Sequence, residues 1–327
     1  MDGFGKRLGE ILSSEQIIFN APMKEHTTFK IGGAADVLIF PSNAEQVAQI
    51  FRLTDEFKIP CTILGNGSNV LVLDNGIRGA VVKFSDKFLG GIRVDDTKIT
   101  AGAGAKLKDV ANFAAENNLS GMEFACGIPG SIGGAVFMNA GAYDGEMKNV
   151  VAKVTAVSSG GELKIFGADE LNLGYRQSIF QTNGYAICEV ELNLIRGDGA
   201  EIKNKMADFT QKRESKQPLE YPSAGSTFKR PQGNYAGTLI DKTGLKGLRI
   251  GGAMVSEKHA GFVVNTGNAT AADVLALIEE VRRRVKSAIR SSPSTKNIPL
   301  TACSKPAGII QKKQNGEFCL NILLSMV

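Results

Sequence analysis

At 327 residues the chain is long enough for one large domain or two ordinary ones, each with a real hydrophobic core. Its 43% hydrophobic and 22% charged residues exclude a disordered tail protein and a small disulfide scaffold. The 38 basic and 33 acidic side chains leave a net charge of +5 without any Lys/Arg block, which suits anionic small molecules and argues against a nucleic-acid partner.

The N-terminal stretch MDGFGKRLGEILSSEQ carries acids and lacks an uninterrupted apolar core, so residues 1–24 are read as a helical segment and not as a secretory signal. A strand-like ADVLIF follows, then a helix opened by a capping box of Ser42 and Glu45, with Val47, Ile50 and Phe51 at helical spacing. In CTILGNGSNVLVLDNGIRGAVVKF, short β-rich runs flank a Gly-Asn-Gly-Ser-Asn turn, giving β-loop-β. A dinucleotide turn of the Rossmann kind must open a helix, so that fold is not expected. Leu107, Val110, Ala111 and Ala114 mark the next helix, and the longest uncharged run, Phe124 to Tyr143, follows it. Five glycines and Pro129 make that run a ligand loop and not a membrane span.

Strands are expected in NVVAKVTAVSS, GELKIF and YAICEVELNLI, then a helix over 202–216. LRIGGAMVS and HAGFVVN read as further strands. A strong final helix starts at Thr270 and Asp273 and has Val274, Ile278, Val281 and Val285 on one face. After about Lys286 no period of two or 3.6 persists. The fold class is therefore α+β. Cys61, Cys126, Cys188, Cys303 and Cys319 are odd in number and form no CxxC pair, so neither disulfides nor a zinc cluster are expected, and the cytoplasm is the expected location. His26 and His259, isolated from one another, are read as structural, and no metal site is expected.

Two glycine-dense loops are the candidate chemistry. One is Gly65, Asn66, Gly67, Ser68 and Asn69. The other contains Gly127, Ile128, Pro129, Gly130, Ser131, Ile132, Gly133, Gly134 and Ala135, with Asn139 and Gly141 beyond it. Backbone N–H groups and small hydroxyl or amide side chains are the equipment for cradling a pyrophosphate without long cationic side chains. Either loop alone would read as a tight turn; two in one α+β unit point to a dinucleotide cofactor.

In order along the chain, TTFKIGGAADVLIFPSN, ILGNGSNVLVLDNGIRGAVV, GMEFACGIPGSIGGAVFMNAGAYDGEM, LGYRQSIF and PSAGSTFKRP resemble the UDP-N-acetylenolpyruvoylglucosamine reductase family, in its shorter subclass. The likeness runs from about Phe29 to Lys286. It implies an FAD-binding domain of the vanillyl-alcohol-oxidase (PCMH) type over 25–195 and a smaller α+β substrate-binding domain over 196–290. It further implies noncovalent FAD, NADPH as reductant, and a UDP-sugar substrate whose enolpyruvyl group is reduced in peptidoglycan precursor synthesis. Arg176 matches the family arginine that stabilises the enolate-like intermediate, a role that a planar, permanently charged fork suits. Ser226 matches the serine that delivers the proton. Tyr175, Arg213 and Lys229 are candidate substrate contacts.

The resemblance also implies a C-terminal glutamate. Here the neighbourhood reads Ser292-Pro293-Ser294-Thr295-Lys296, and no acid lies between Glu280 and Glu317. Residues 291–327 thus form an atypical tail, consistent with a frame change in the coding sequence. Alternative readings are a catalytically dead flavin-binding copy and a sugar or alcohol oxidase on the same fold. The oligomeric state is open.

Overall fold

The computed structural model describes residues 2–229, 231, 234–291, 320–321 and 324–325. They group into two compact units: Met1–Ala21, Asp36–Asn66 and Gly79–Arg213 form the first, and Pro22–Ala35, Gly67–Arg78 and the described residues from Glu214 on form the second. Each has its own apolar core.

The first unit contains a four-stranded sheet in the order Ile17–Pro22, Ala34–Ile39, Ile77–Lys83, Cys61–Leu64. The last two are parallel, with Leu64 opposite Lys83, which confirms β-loop-β. A five-stranded antiparallel sheet runs Leu163–Gly167, Val151–Ser158, Tyr185–Asn193, Lys98–Gly102, Ile92–Asp95. Ala186, Cys188, Val190 and Leu192 show the period of two that buries one face of its central strand. Burial pushes the Cys188 thiol up to about 12, so this cysteine packs as an inert apolar group.

Helix Ala44–Glu56 buries Val47, Ile50, Phe51 and Thr54, the expected stripe. Its cap is displaced by one residue from the sequence reading. Asn43, not Ser42, is the N-cap and accepts from Gln46 N at 2.8 Å; Gln46 Oε1 in turn accepts from Ser42 N at 2.8 Å. Asn43 and Ser42 are caps of similar strength, so the position at which packing starts the helix selects between them. Helix Leu107–Glu116 buries the four residues expected of it.

The domain limits read from sequence shift in two places. The segment 1–24 is not a separate appendage: helix Asp2–Ile11 places Phe4 and Leu8 at 0% exposure in the first core. Helix Gly199–Lys216 also inserts Ile202 and Met206 there, so the first unit extends to Arg213 and not to 195.

The second unit has a sheet in the order Ser223–Ser226, Phe262–Asn265, Ala253–Val255, Arg249–Ile250. Helix Ala271–Ser291 packs through Val274, Leu277, Ile278, Val281 and Val285. Its start is the expected box: Asp273 N donates to Thr270 Oγ1 and Thr270 N to Asp273 Oδ2, both at 3.0 Å. Two segments from early in the chain belong here for stated reasons. Asp74 accepts from Ala271 N and Ala272 N at 2.8 and 3.1 Å, satisfying amides at the helix N-terminus. Thr28 Oγ1 donates to Ser223 O at 2.7 Å, and Asn265 Nδ2 to Phe29 O at 3.2 Å.

The atypical tail lies outside the described residues except for Ser291, which ends the last helix, Leu320–Asn321, antiparallel to Val70–Leu71, and Leu324–Ser325, parallel to Phe228–Lys229. Among the described residues no helix is long and apolar enough to cross a membrane.

Candidate active site

In the first unit the chain leaves the sheet at Leu64, where Phe84 N donates to Leu64 O at 2.8 Å. The parallel register ends there with Leu64 opposite Lys83, so Gly65 and Asn66 leave one strand where Phe84 and Ser85 leave its neighbour. The main-chain N–H groups of Gly65, Asn66, Gly67, Ser68 and Asn69 are bonded to no described residue. The Ser85 hydroxyl is buried and also has no partner among them. Sequence reasoning missed Ser85, since a serine at the end of a strand carries no signal until its neighbours are known. A Cβ on Gly65 would stand 2.5 Å from Ser131 Oγ, so glycine is required for the two loops to meet. In the second unit, Gly67 has φ +68° and lies against His26 O and Thr27 Cα.

The second loop has spent most of its amides inside the protein. Ile128 N donates to Ala125 O, Gly130 N to Ile128 O, Ile132 N to Ala105 O, Gly133 N to Ala103 O and Ala135 N to Ser131 O, at 2.8 to 3.0 Å. Gly134 N takes the Ser131 Oγ cap at 3.4 Å. Among the described residues, only Gly127 and Ser131 in the run from Gly127 to Ala135 have an N–H without a bond to protein, Pro129 having none to offer. Gly133 is bare because its Cβ would stand 2.8 Å from Ala103 Cβ. Gly134 is exposed, with only Ser131 Oγ near, at 3.4 Å. Gly141 is pressed against Gly145 O in a tight hairpin. Asn139, expected to touch cofactor, is buried at 3% exposure, and its amide is committed within the protein. It donates to Glu146 Oε2 and Gly174 O at 3.0 and 3.1 Å and accepts from Lys148 N at 2.9 Å.

Those bonds lead to Arg176. Gly174 and Gln177 exchange two main-chain hydrogen bonds of 3.1 Å, so Tyr175 and Arg176 are the tip of a two-residue turn. Tyr175 is 64% exposed. Arg176 has φ +55°, a left-handed conformation that costs a side chain with a Cβ about 1–2 kcal/mol. Such a residue persists only where its surroundings over-determine it, as at functional sites. The Arg176 guanidinium has no hydrogen-bond or ion-pair partner among the described residues.

Arg213 passes beside Gly127, whose Cβ would stand 2.8 Å from its Cδ. It too has no carboxylate partner among the described residues, and burial holds its guanidinium below the usual range while Tyr143 and Cys126 oppose that shift. Neighbouring Lys212 is committed to Asp208 at 2.6 Å. Cys126 is buried and donates to Met206 O at 3.5 Å, a packing role.

In the second unit Ser226 closes its strand after a bulge at Gly225, φ +78°. Thr227 N donates to Gly261 O at 2.9 Å, and Val263 N to the Thr227 hydroxyl at 3.2 Å, which anchors the residue after Ser226. A Cβ on Gly261 would be 3.0 Å from His259 Cε1 and 3.4 Å from Ser226 Oγ, so the histidine and the serine converge on one bare glycine. His259 Nδ1 accepts from Gly261 N at 3.1 Å, which leaves Nε2 as the donor in the neutral ring. Burial pushes this imidazole below its ordinary range, and Lys246 adds to that against the ring's own backbone hydrogen bond. Lys229 follows in a two-residue strand. Among the described residues no group of three or more His, Cys, Asp or Glu could hold a metal ion.

The amides of Gly65 and Asn66 and the buried Ser85 hydroxyl, all without a partner among the described residues, fit a flavin dinucleotide in the first unit. Residues 35–167 match the family model described as an FAD binding domain, and residues 217–292 match the one described as UDP-N-acetylenolpyruvoylglucosamine reductase, C-terminal domain. The chain is 55% identical over 283 residues to the UDP-N-acetylenolpyruvoylglucosamine reductase of Clostridium perfringens (strain SM101 / Type A), covering 86% of this chain and 92% of the relative. It is 51% identical to the enzyme of that name from Geobacillus kaustophilus, over 86% and 92% respectively. The crystal structure of UDP-N-acetylenolpyruvylglucosamine reductase from Thermus caldophilus superimposes with a TM-score of 0.71 at 38% identity, covering 82% of this chain and 94% of that one.

Proposed function

The chain belongs to the UDP-N-acetylenolpyruvoylglucosamine reductase family, and from that premise we propose how its own residues carry out the reduction of UDP-N-acetylglucosamine enolpyruvate to UDP-N-acetylmuramate. FAD held by these residues would supply hydride-transfer chemistry between NADPH, as the reductant, and the methylene carbon of the enolpyruvyl ether. That addition places negative charge on the carbon bearing the carboxylate, which calls for a cationic clamp and a proton donor.

Arg176 is the clamp. Its guanidinium, presented at the tip of a turn and without a partner among the described residues, holds the substrate carboxylate in two-point contact. Ser226 delivers the proton to the alpha carbon, with the neutral His259 lying against the same bare glycine, Gly261. Gly65, Asn66, Gly67, Ser68 and Asn69 offer amides to the cofactor, joined by Gly127, Ser131 and the bare face at Gly134. Arg213 and Lys229 serve anionic oxygens of the nucleotide substrate, and Tyr175 lies against it. The work is placed in the cytoplasm, where the sugar nucleotide and NADPH occur together.

The observation that carries this reading is Arg176 held in a left-handed conformation with its charge unspent. It is tested anaerobically: the FAD-loaded chain is bleached with one equivalent of NADPH, then the enolpyruvyl sugar nucleotide is added. Return of the oxidised spectrum supports the reading, whereas reoxidation unchanged in Arg176→Ala removes it. A second reading has one observation in its favour. With no acid between Glu280 and Glu317, a copy that binds flavin but does not turn over would bleach and not return.

A further inference from the structure

We infer that Gln181, together with Asn139, positions Arg176, and so sets the discrimination for the substrate carboxylate. The inference rests on the reading of Arg176 as the carboxylate clamp. The reciprocal bonds between Gly174 and Gln177 close the turn but leave the Tyr175–Arg176 peptide free to relax away from φ +55°. Restraint comes from outside the turn. Gln181 Nε2 donates to Arg176 O at 3.0 Å and to Phe137 O at 3.2 Å, using both hydrogens of its amide. Ser178, 3% exposed, donates to the same Phe137 O at 2.8 Å. On the other side, Asn139 Nδ2 holds Gly174 O at 3.1 Å, and its remaining amide atoms are pinned by Glu146 and Lys148.

The carbonyls at both flanks of Arg176 are therefore tied to residues 137–139, at the end of helix Ile132–Phe137. That helix begins in the second glycine loop, with Ser131 as its cap. The loop and the Arg176 main chain, from which the guanidinium projects, are thus fixed to one another through side-chain amides. Gln181 and Asn139 act through Arg176 and are positioning residues.

The test is calorimetric titration of the FAD-loaded full chain with two probes, UDP-N-acetylglucosamine enolpyruvate and UDP-N-acetylglucosamine, which lacks the carboxylate. The readout is the ratio of their dissociation constants, which requires no turnover. Arg176→Ala is expected to collapse the ratio. Gln181→Met is expected to lower it about tenfold, the size of one misplaced charge-assisted contact, without moving the constant for UDP-N-acetylglucosamine. In the Arg176→Ala background Gln181→Met adds nothing further. Asn139→Asp, which keeps size and removes both donors, repeats the test at a second site should Gln181→Met fail to retain flavin. A ratio at the starting value in both positioning variants, with Arg176→Ala collapsed, overturns the inference alone. A ratio that Arg176→Ala leaves unchanged overturns the reading of Arg176, and this inference with it.

Discussion

The two glycine loops look alike in sequence and do different work. The amides of Gly65 and Asn66 are bonded to no described residue, as the cradle proposed for an anion requires. The run from Gly127 to Ala135 uses most of its own to brace against Ala103, Ala105 and Ser131, and its glycines answer mainly to close packing. A glycine is therefore not a signature of ligand contact. It reports that something passes close, and only the fold says whether that is cofactor or chain.

This contrast can be broken at chosen positions. The largest effect is expected from Gly65→Ala, whose Cβ would stand 2.5 Å from Ser131 Oγ. Strain of about 2–3 kcal/mol placed in the cradle weakens flavin binding roughly 30- to 150-fold, measured by fluorescence titration. The double variant with Ser131→Ala removes the offending oxygen and should recover most of the loss; absence of recovery would show that the clash is not the cause. Gly133→Ala comes next, meeting Ala103 Cβ at 2.8 Å. It should lower stability by about 1–3 kcal/mol in urea melts while the folded protein keeps its flavin affinity.

Acid should loosen the second loop first. Glu123, buried just ahead of it, would have its pKa raised by burial, but hydrogen bonds from Ser120 Oγ and Gly121 N at 2.7 and 2.9 Å prevail with help from Lys205, and hold it below the usual carboxylate range. Because the folded value is depressed, its stabilisation is complete above the unfolded value and is lost as pH falls through the folded one. Urea midpoints from pH 7 down to 3 should therefore fall less steeply in Glu123→Gln than in the native chain. The smallest effect is expected at Gly134, exposed on a helix with room for a Cβ. Gly134→Ala should raise the stability of the cofactor-free protein by about 0.5–1 kcal/mol and weaken flavin binding slightly. Unchanged flavin binding there would remove that face from the cradle and widen the difference between the loops.

Much of this was legible residue by residue. The Thr270 and Asp273 box, the Leu107 to Ala114 stripe and the β-loop-β order around Gly65 all follow from local spacing, which is where capping and periodicity act. The shift of a cap from Ser42 to Asn43 shows the limit of such reading: adjacent residues of similar capping strength are separated only by where the helix axis is set by packing. Arg176 could be placed by its motif, but its left-handed backbone and the amides that hold it involve Asn139, 37 positions earlier in number, and no local pattern encodes that pairing. The surroundings of Ser85 and His259 were likewise invisible, because an unpartnered hydroxyl or a converging ring is a property of neighbours and not of residue type.

The sequence by itself determined the α+β class, the family and the glycine loops, since motifs and periodicity are carried by residues close together along the chain. Only the tertiary structure decided which amides stay free, which unit the segments Pro22–Ala35 and Gly67–Arg78 join, and what holds Arg176 in its strained conformation. Those depend on hydrogen bonds and close approaches between residues far apart in the chain, and such contacts exist only once the cores have packed.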